Sequence, residues 1–413
     1  MTMTGTRKER IVVAYSGGLD TSVAVPWLAE RYGAEIIAVT MDLGQGAELE
    51  EVRDRALQSG ALRAHVLDVR EEFARDFVLR ALKADALYED RYPLATALAR
   101  PLIAQKLIEI AEIEQATAVA HGCSGKGNDQ VRLEVTARAL NSSIRIIAPA
   151  REWGMTRHEE IDYARQRNVP VPAAATVESP YSTDFNLWGR AVDCGALEDP
   201  WQEPPGEIYT LTKAPRECPD EPAYVEITFE RGVPTAINGV AMPTLDLIAS
   251  LGTIAGANGV GRIDLIENRL VGIKSREVYE APAAMVLHAA HEELQRLVTT
   301  ADLDRLCRDI SQKYADLVYN GLWFTPTREA IDAFVDKVQE RVTGVIRLKL
   351  FKGDCRIVGR KSPFGLYDKS LATHNEGDKF DHAAVEGFIK IWGLPVESTA
   401  KKAPKRKKMV VGR

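Results

Sequence analysis

The chain has 413 residues, 45% of them hydrophobic and 27% charged, which excludes a fibrous or wholly disordered protein and leaves room for two folded cores. A formal net charge of −6 argues against a protein built chiefly to hold nucleic acid, and no run approaches the roughly 18 apolar residues of a membrane span. Cys123, Cys194, Cys218, Cys307 and Cys355 lie far apart with no C-x-x-C pair, and the polar N-terminus lacks a signal-type apolar core. Neither a zinc site nor a disulfide framework is expected, and the expected location is the cytoplasm.

The first predicted strand, 11–14, runs into Tyr15-Ser-Gly-Gly-Leu-Asp-Thr-Ser22 and then an amphipathic helix over 20–32. Gly17 and Gly18 allow a tight turn, Ser16, Thr21 and Ser22 offer hydroxyl donors, and the helix start aims free N–H groups and a positive dipole end at an anion. This is neither a Walker A loop nor a G-x-G-x-x-G turn. The spelling Ser-Gly-Gly-Leu-Asp-Thr-Ser resembles the pyrophosphate loop of the ATP pyrophosphatase superfamily, whose members cleave ATP between the α- and β-phosphates.

Further strands are expected at 36–40, 64–67, 118–120 and 144–148, separated by helices at 48–59, 71–82 and 101–114. Strand and helix in alternation predict an α/β fold with a parallel sheet covered on both faces, and ligands of such sheets bind beyond the carboxyl ends of the strands. The two glycine-bearing loops, 17–18 and 122–127, each follow a strand and are expected to share one edge. A helix at 157–166 leads into Asn168-Val-Pro-Val-Pro, where a boundary near 170 is expected. Beyond a proline-rich stretch at 200–222, the spacing predicts strands at 224–231, 344–352 and 355–360 and helices at 244–252, 281–298, 302–321 and 327–343, an α+β domain. The expected division is a nucleotide-binding domain over 1–170, an α+β synthetase and oligomerisation domain over 171–385, and an extension over 386–413. The extension ends in Lys401-Lys-Ala-Pro-Lys-Arg-Lys-Lys, which reads as a solvated basic tail.

A second chemical segment is His121-Gly-Cys-Ser-Gly-Lys-Gly-Asn-Asp-Gln-Val-Arg132. Its glycines let backbone N–H groups face a ligand, while Ser124, Lys126, Asn128, Asp129 and Arg132 offer both charge signs, a mixture suited to a zwitterion. Asp129 is the candidate acceptor for an amino acid's ammonium, with Ser124, Asn128 and backbone amides as donors to its carboxylate.

Ala14 to Ser22, Ala86-Leu-Tyr-Glu-Asp-Arg-Tyr92, Leu98-Ala-Arg-Pro101, Gly125 to Arg132 and Gly259-Val-Gly-Arg-Ile-Asp-Leu-Ile-Glu-Asn-Arg269 together resemble the argininosuccinate synthase family. The resemblance implies an ATP-dependent ligase that joins L-citrulline and L-aspartate through a citrulline adenylate, releasing AMP and pyrophosphate, as a homotetramer. It places Ala14, Tyr15, Ser16, Gly17, Gly18, Leu19, Asp20, Thr21, Ser22, Met41 and Gly122 at ATP. Ser124, Asn128 and Asp129 fall at aspartate, and Tyr92, Asn128, Arg132, Ser182, Glu267 and Tyr279 at citrulline. Glu267 suits citrulline's ammonium and Arg132 its carboxylate, whereas Met41 offers only packing and backbone contact. Asp129 is the expected catalytic residue, orienting the attacking amine or receiving its proton. No metal ligand is identified, and Mg²⁺ is the expected cation on the phosphates. Two departures stand out. Ala97 and Ala191 occupy positions where many members carry serine, so those hydroxyl contacts are missing or fall to Thr96, backbone or water.

Three other readings compete. A tRNA-thiolating or amidating pyrophosphatase would need catalytic cysteines, a basic RNA face or a glutaminase domain, none of which is evident. A non-catalytic nucleotide module would not need the zwitterion-matched loops, and a nucleic-acid role would rest on the tail alone.

Overall fold

The computed structural model describes residues 8–46, 49–123, 125, 127–170 and 180–402. Those up to Gly365 gather into one compact unit and those from Leu366 into a second. β1 (Arg10–Ala14), β2 (Glu35–Asp42), β3 (Arg63–Asp68), β4 (Ala118–Ala120) and β5 (Arg145–Ile147) form a parallel sheet in the order β3-β2-β1-β4-β5. Val12 packs into one core cluster while Ile11 and Val13 pack into another on the opposite face, which is why β1 reads as an unbroken apolar run. Because β1 pairs with β4, the loops that leave their carboxyl ends emerge side by side, as expected.

The helices Leu19–Tyr32, Leu49–Gln58 and Arg157–Gln166 follow the expected spans, the last opened by a capping box between Thr156 and Glu159. Two others differ. The helix expected from Pro101 begins at Ala95 and runs to Glu114 with Pro101 inside it. A proline there removes one backbone bond, but Ala95, Ala97, Leu98 and Ala99 are all buried, and their packing holds the earlier turn. The helix expected at 71–82 runs as Arg70–Glu72, a π-helical stretch Phe73–Val78, and Leu79–Lys83. The wider turn carries buried Phe77 onto Trp323, with ring centroids 4.7 Å apart. Residues 171–179, beside the expected boundary, lie outside the described residues.

The following part of the first unit is α+β, with two antiparallel sheets. Its strands are β6 (Ser182–Asn186), β7 (Gly189–Asp193), β8 (Ala223–Glu230), β9 (Val233–Ile237), β10 (Val240–Ala241), β11 (Arg262–Asn268), β12 (Lys274–Glu280), β13 (Gly344–Phe351) and β14 (Asp354–Lys361). One sheet has the order β10-β9-β8-β13-β14 and contains the three expected strands. Helices Thr244–Ala257 and Pro282–Val298 contribute Leu247, Leu251, Val286 and Leu287 to the core shared with Ile227 and Ile346 of this sheet. The other sheet, β11-β12-β7-β6, was not foreseen. Its β6–β7 turn is fastened to the first half: Asn186 Nδ2 donates to Ala95 O at 2.9 Å, Trp188 Nε1 to Pro93 O at 2.8 Å and Leu187 N to Leu43 O at 2.8 Å.

The second unit contains the helix His382–Lys402, on which Phe388, Ile391, Trp392, Leu394 and Val396 are exposed. Residues 403–413 of the basic tail lie outside the described residues. Among the described residues, no helix is long and apolar enough to cross a membrane.

Candidate functional site

The turn after β1 is built for close approach. Gly17 has φ +78°, and a Cβ there would meet Val52 and Arg55 at 3.1 Å. Arg55 Nη1 donates to Gly17 O at 2.8 Å, Thr40 Oγ1 to Tyr15 O at 2.9 Å, and Tyr15 and Ser22 share a hydroxyl bond of 2.8 Å. Gly18 caps the helix Leu19–Tyr32 with no side-chain hydrogen bond to its first N–H groups, which leaves those donors open. A Cβ on Gly122 would sit 3.0 Å from Thr21 Cγ2, so the glycine eases the close approach of the loop after β4 to this turn. Between them opens a cavity of about 740 Å³ lined by Ala14, Tyr15, Ser16, Gly18, Leu19, Asp20, Thr21, Met41, Gly122 and, from elsewhere, Gln45, Arg100, Cys123 and Asp184. Met41 is buried, and its carbonyl accepts from Gln45 Nε2 at 2.7 Å.

A second cavity of about 800 Å³ is lined by Tyr92, Thr96, Cys123, Asn128, Asp129, Arg132, Ser182, Asp184, Ala191, Glu267 and Tyr279. Asp184, Ala191 and Tyr279 are direct neighbours across β6, β7 and β12, so they share one face of the unforeseen sheet. Glu267 accepts from Tyr279 and Tyr319 hydroxyls, each at 2.6 Å. Burial pushes its carboxyl up, and those two donors with Arg132 and Arg269 pull against the rise without reversing it. Tyr92 stacks on Tyr279 with centroids 4.0 Å apart and accepts from Thr96 N at 2.9 Å. Asn128 donates to Tyr319 Oη at 2.8 Å and accepts from Leu270 N at 2.9 Å. Ala97 is buried in the core and does not line this cavity, whereas Thr96 and Ala191 do.

The two cavities share Cys123 and Asp184, and a charge cluster marks the seam. Arg100 Nη2 donates to Asp129 Oδ2 and to Asp184 Oδ2, both at 2.8 Å, and Arg132 Nη1 donates to Asp129 Oδ1 at 2.9 Å. Burial alone would raise the Asp129 carboxyl, but the two guanidinium groups outweigh it and hold the carboxyl below its usual value. Asp129 is thus held as a carboxylate, and as a proton acceptor it is weakened.

Most of the residues singled out from the sequence line one of the two cavities. Gly17 and Ser22 brace the turn from behind, and Ser124 and Lys126 lie outside the described residues. Arg100 was signalled only by the string Leu98-Ala-Arg-Pro101, and Asp184 and Tyr319 carry no local signal because their partners lie far away in the chain.

Comparison with known proteins identifies the family. Residues 10–170 match the model described as arginosuccinate synthase N-terminal HUP domain, and residues 181–399 match the arginosuccinate synthase C-terminal domain. The chain is 55% identical to argininosuccinate synthase of Gloeobacter violaceus, over 94% of this chain and 98% of that one. It is likewise 55% identical to argininosuccinate synthase of Trichodesmium erythraeum, over 96% and 99%. Among solved structures, the U34-tRNA thiolase NcsA from Methanococcus maripaludis overlaps 41% of this chain and 60% of its own at 14% identity and a TM-score of 0.27, which carries no argument.

Proposed function

The chain belongs to the argininosuccinate synthase family, and on that premise we propose how its two adjoining cavities divide one reaction. As a ligase of that family it joins L-citrulline to L-aspartate in arginine biosynthesis, with ATP cleaved to AMP and pyrophosphate through a citrulline adenylate. The observation that carries the assignment of residues is the seam: a phosphate cradle and a zwitterion-matched cavity share Cys123 and Asp184 across a bridging arginine.

We assign Ala14 to Ser22, Met41 and Gly122 to ATP, with the Ser16–Ser22 turn holding the phosphates that leave as pyrophosphate. Tyr92, Asn128, Arg132, Ser182, Glu267 and Tyr279 take citrulline, with Glu267 at its ammonium and Arg132 at its carboxylate. Ser124, Asn128 and Asp129 take aspartate, and Asp129 orients the attacking amine. A ureido oxygen is a weak nucleophile, so the site's main work is to hold it in line with the α-phosphate and to offset the phosphates' charge. The described residues gather no group of three or more metal-ligating side chains, which fits a Mg²⁺ held mainly by phosphate oxygens and water, with Asp20 as a carboxylate within reach of that cavity. Such a cation would neutralise the leaving pyrophosphate. The nucleotide part is assigned to 1–170, the synthetase and oligomerisation part to 171–385 and the extension to 386–413; a cytoplasmic homotetramer completes the reading, with the apolar residues exposed on His382–Lys402 in support of assembly.

A pyrophosphate-release assay tests the order of events. With ATP and citrulline alone, a burst of about one pyrophosphate per site is expected, becoming continuous on adding aspartate. Release equally fast with ATP alone would overturn the adenylate reading. Thr96→Val should raise the KM for citrulline about fivefold, the size of one neutral hydrogen bond. An unchanged KM would show that Thr96 does not replace the absent serine.

A further inference from the structure

We propose that Tyr319 is a positioning residue for the citrulline site, holding Glu267, Asn128 and Arg132 in one arrangement from outside the cavity. This rests on the assignment of those three residues to citrulline. Tyr319 ends the helix Ala301–Tyr319 and is buried, and it does not line either cavity, so it acts through its neighbours.

Every polar atom of Tyr319 beyond its own N–H is committed to that trio. Its hydroxyl donates to Glu267 Oε1 at 2.6 Å and accepts from Asn128 Nδ2 at 2.8 Å. Its carbonyl oxygen accepts from Arg132 Nε at 2.8 Å. The Arg132 guanidinium also lies 4.6 Å from the ring centroid, and the ring stacks on Tyr88 at 3.5 Å with 6° between planes. One residue thus ties β11 to the loop and helix that follow β4. With Leu270 N on the other end of the amide, the hydroxyl fixes which way Asn128 faces. With Tyr279 on Oε2, it also fixes the Glu267 carboxylate, leaving both oxygens anchored.

The hydroxyl has an electrostatic part as well. Glu267 sits among Arg132, Arg269, Glu277, Tyr279 and Tyr319, with Tyr88 and Tyr92 stacked behind. Burial favours its neutral form, and the two tyrosine donors favour the carboxylate that an ammonium needs. Removing one donor lets the carboxyl protonate at higher pH, so citrulline binding should fail earlier as pH falls.

Tyr319→Phe keeps the ring, the stack and the backbone carbonyl. It should raise the KM for citrulline about tenfold, leave the KM for ATP and the melting temperature nearly unchanged, and move the acid limb of kcat/KM for citrulline to higher pH. Glu267→Gln is the companion variant, and the double variant should be little worse than Glu267→Gln alone. An unchanged citrulline KM and acid limb in Tyr319→Phe, with Glu267→Gln impaired, would overturn the role of Tyr319 only. Equal losses for ATP, citrulline and melting temperature would make Tyr319 merely structural and also overturn it. Should Glu267→Gln leave the citrulline KM unchanged, the assignment of Glu267 fails and the inference falls with it.

Discussion

Replacing Arg100 with glutamine should lower kcat by about a hundredfold or more, with much smaller changes in the KM values for ATP and citrulline. Arg100 projects from the buried helix Ala95–Glu114 to the seam between the cavities, where Asp129 and Asp184 each accept from Nη2 at 2.8 Å. Both carboxylates engage the same nitrogen, so the two N–H groups of Nη1 remain for a phosphate oxygen. On the proposed assignment of the two cavities, ATP's α-phosphate meets the ureido oxygen at this seam. A cation fixed there before the substrates arrive stabilises charge that develops in the transition state more than charge already present in bound ATP. Glutamine would also leave two carboxylates facing incoming phosphates, so the loss should exceed that of one hydrogen bond. Arg100→Lys keeps the charge but not the planar fork, and should fall between wild type and glutamine. Saturating pyrophosphate-release rates and melting curves, measured together, separate the chemical effect from lost stability. A kcat within threefold of wild type in Arg100→Gln would refute the role.

β1 and β4 were legible because each is a short apolar run followed by a glycine-bearing loop, and a strand buried on both faces needs little else to declare itself. Val12 and Val13 are such a case. The sheet β11-β12-β7-β6 was not legible, because it carries Asp184, Arg190, Asp193, Glu267, Arg276 and Glu277 where a half-buried strand would show apolar residues. All of these but Arg190, which pairs with Glu280, line a cavity, so function displaces the pattern from which strands are recognised. Pro101 misled for a related reason, since local punctuation gave way to tertiary packing of Ala95 to Ala99. Many cavity-lining residues could be named from motifs, but the residues that hold them could not. Asn128 and Tyr319 lie 191 positions apart, and Arg100 and Asp184 lie 84 apart. No local spacing encodes such pairs.

Gly321→Ala should destabilise the first unit by about 3 kcal/mol and weaken citrulline binding as well. Gly321 follows the helix Ala301–Tyr319 with φ +73°, a left-handed conformation that any side chain strains by about 1 kcal/mol. Strain alone is the smaller part. A Cβ there would lie 2.7 Å from Arg132 Cα, a backbone atom inside the helix Asp129–Leu140, and 3.4 Å from Arg132 Cβ. The flexible end of a side chain could yield cheaply, but a helical backbone cannot, so the helix must slide or the turn must open. Either movement separates Arg132 Nε from Tyr319 O and shifts the guanidinium that is assigned to citrulline's carboxylate. Gly33→Ala is the matched control: its φ is +63° and nothing lies within 4 Å of the added carbon, so only the conformational part remains, about 1 kcal/mol. Denaturation midpoints of the two variants should therefore differ clearly, and only Gly321→Ala should raise the citrulline KM. Equal destabilisation in both would mean that the close approach to Arg132 contributes nothing beyond backbone strain.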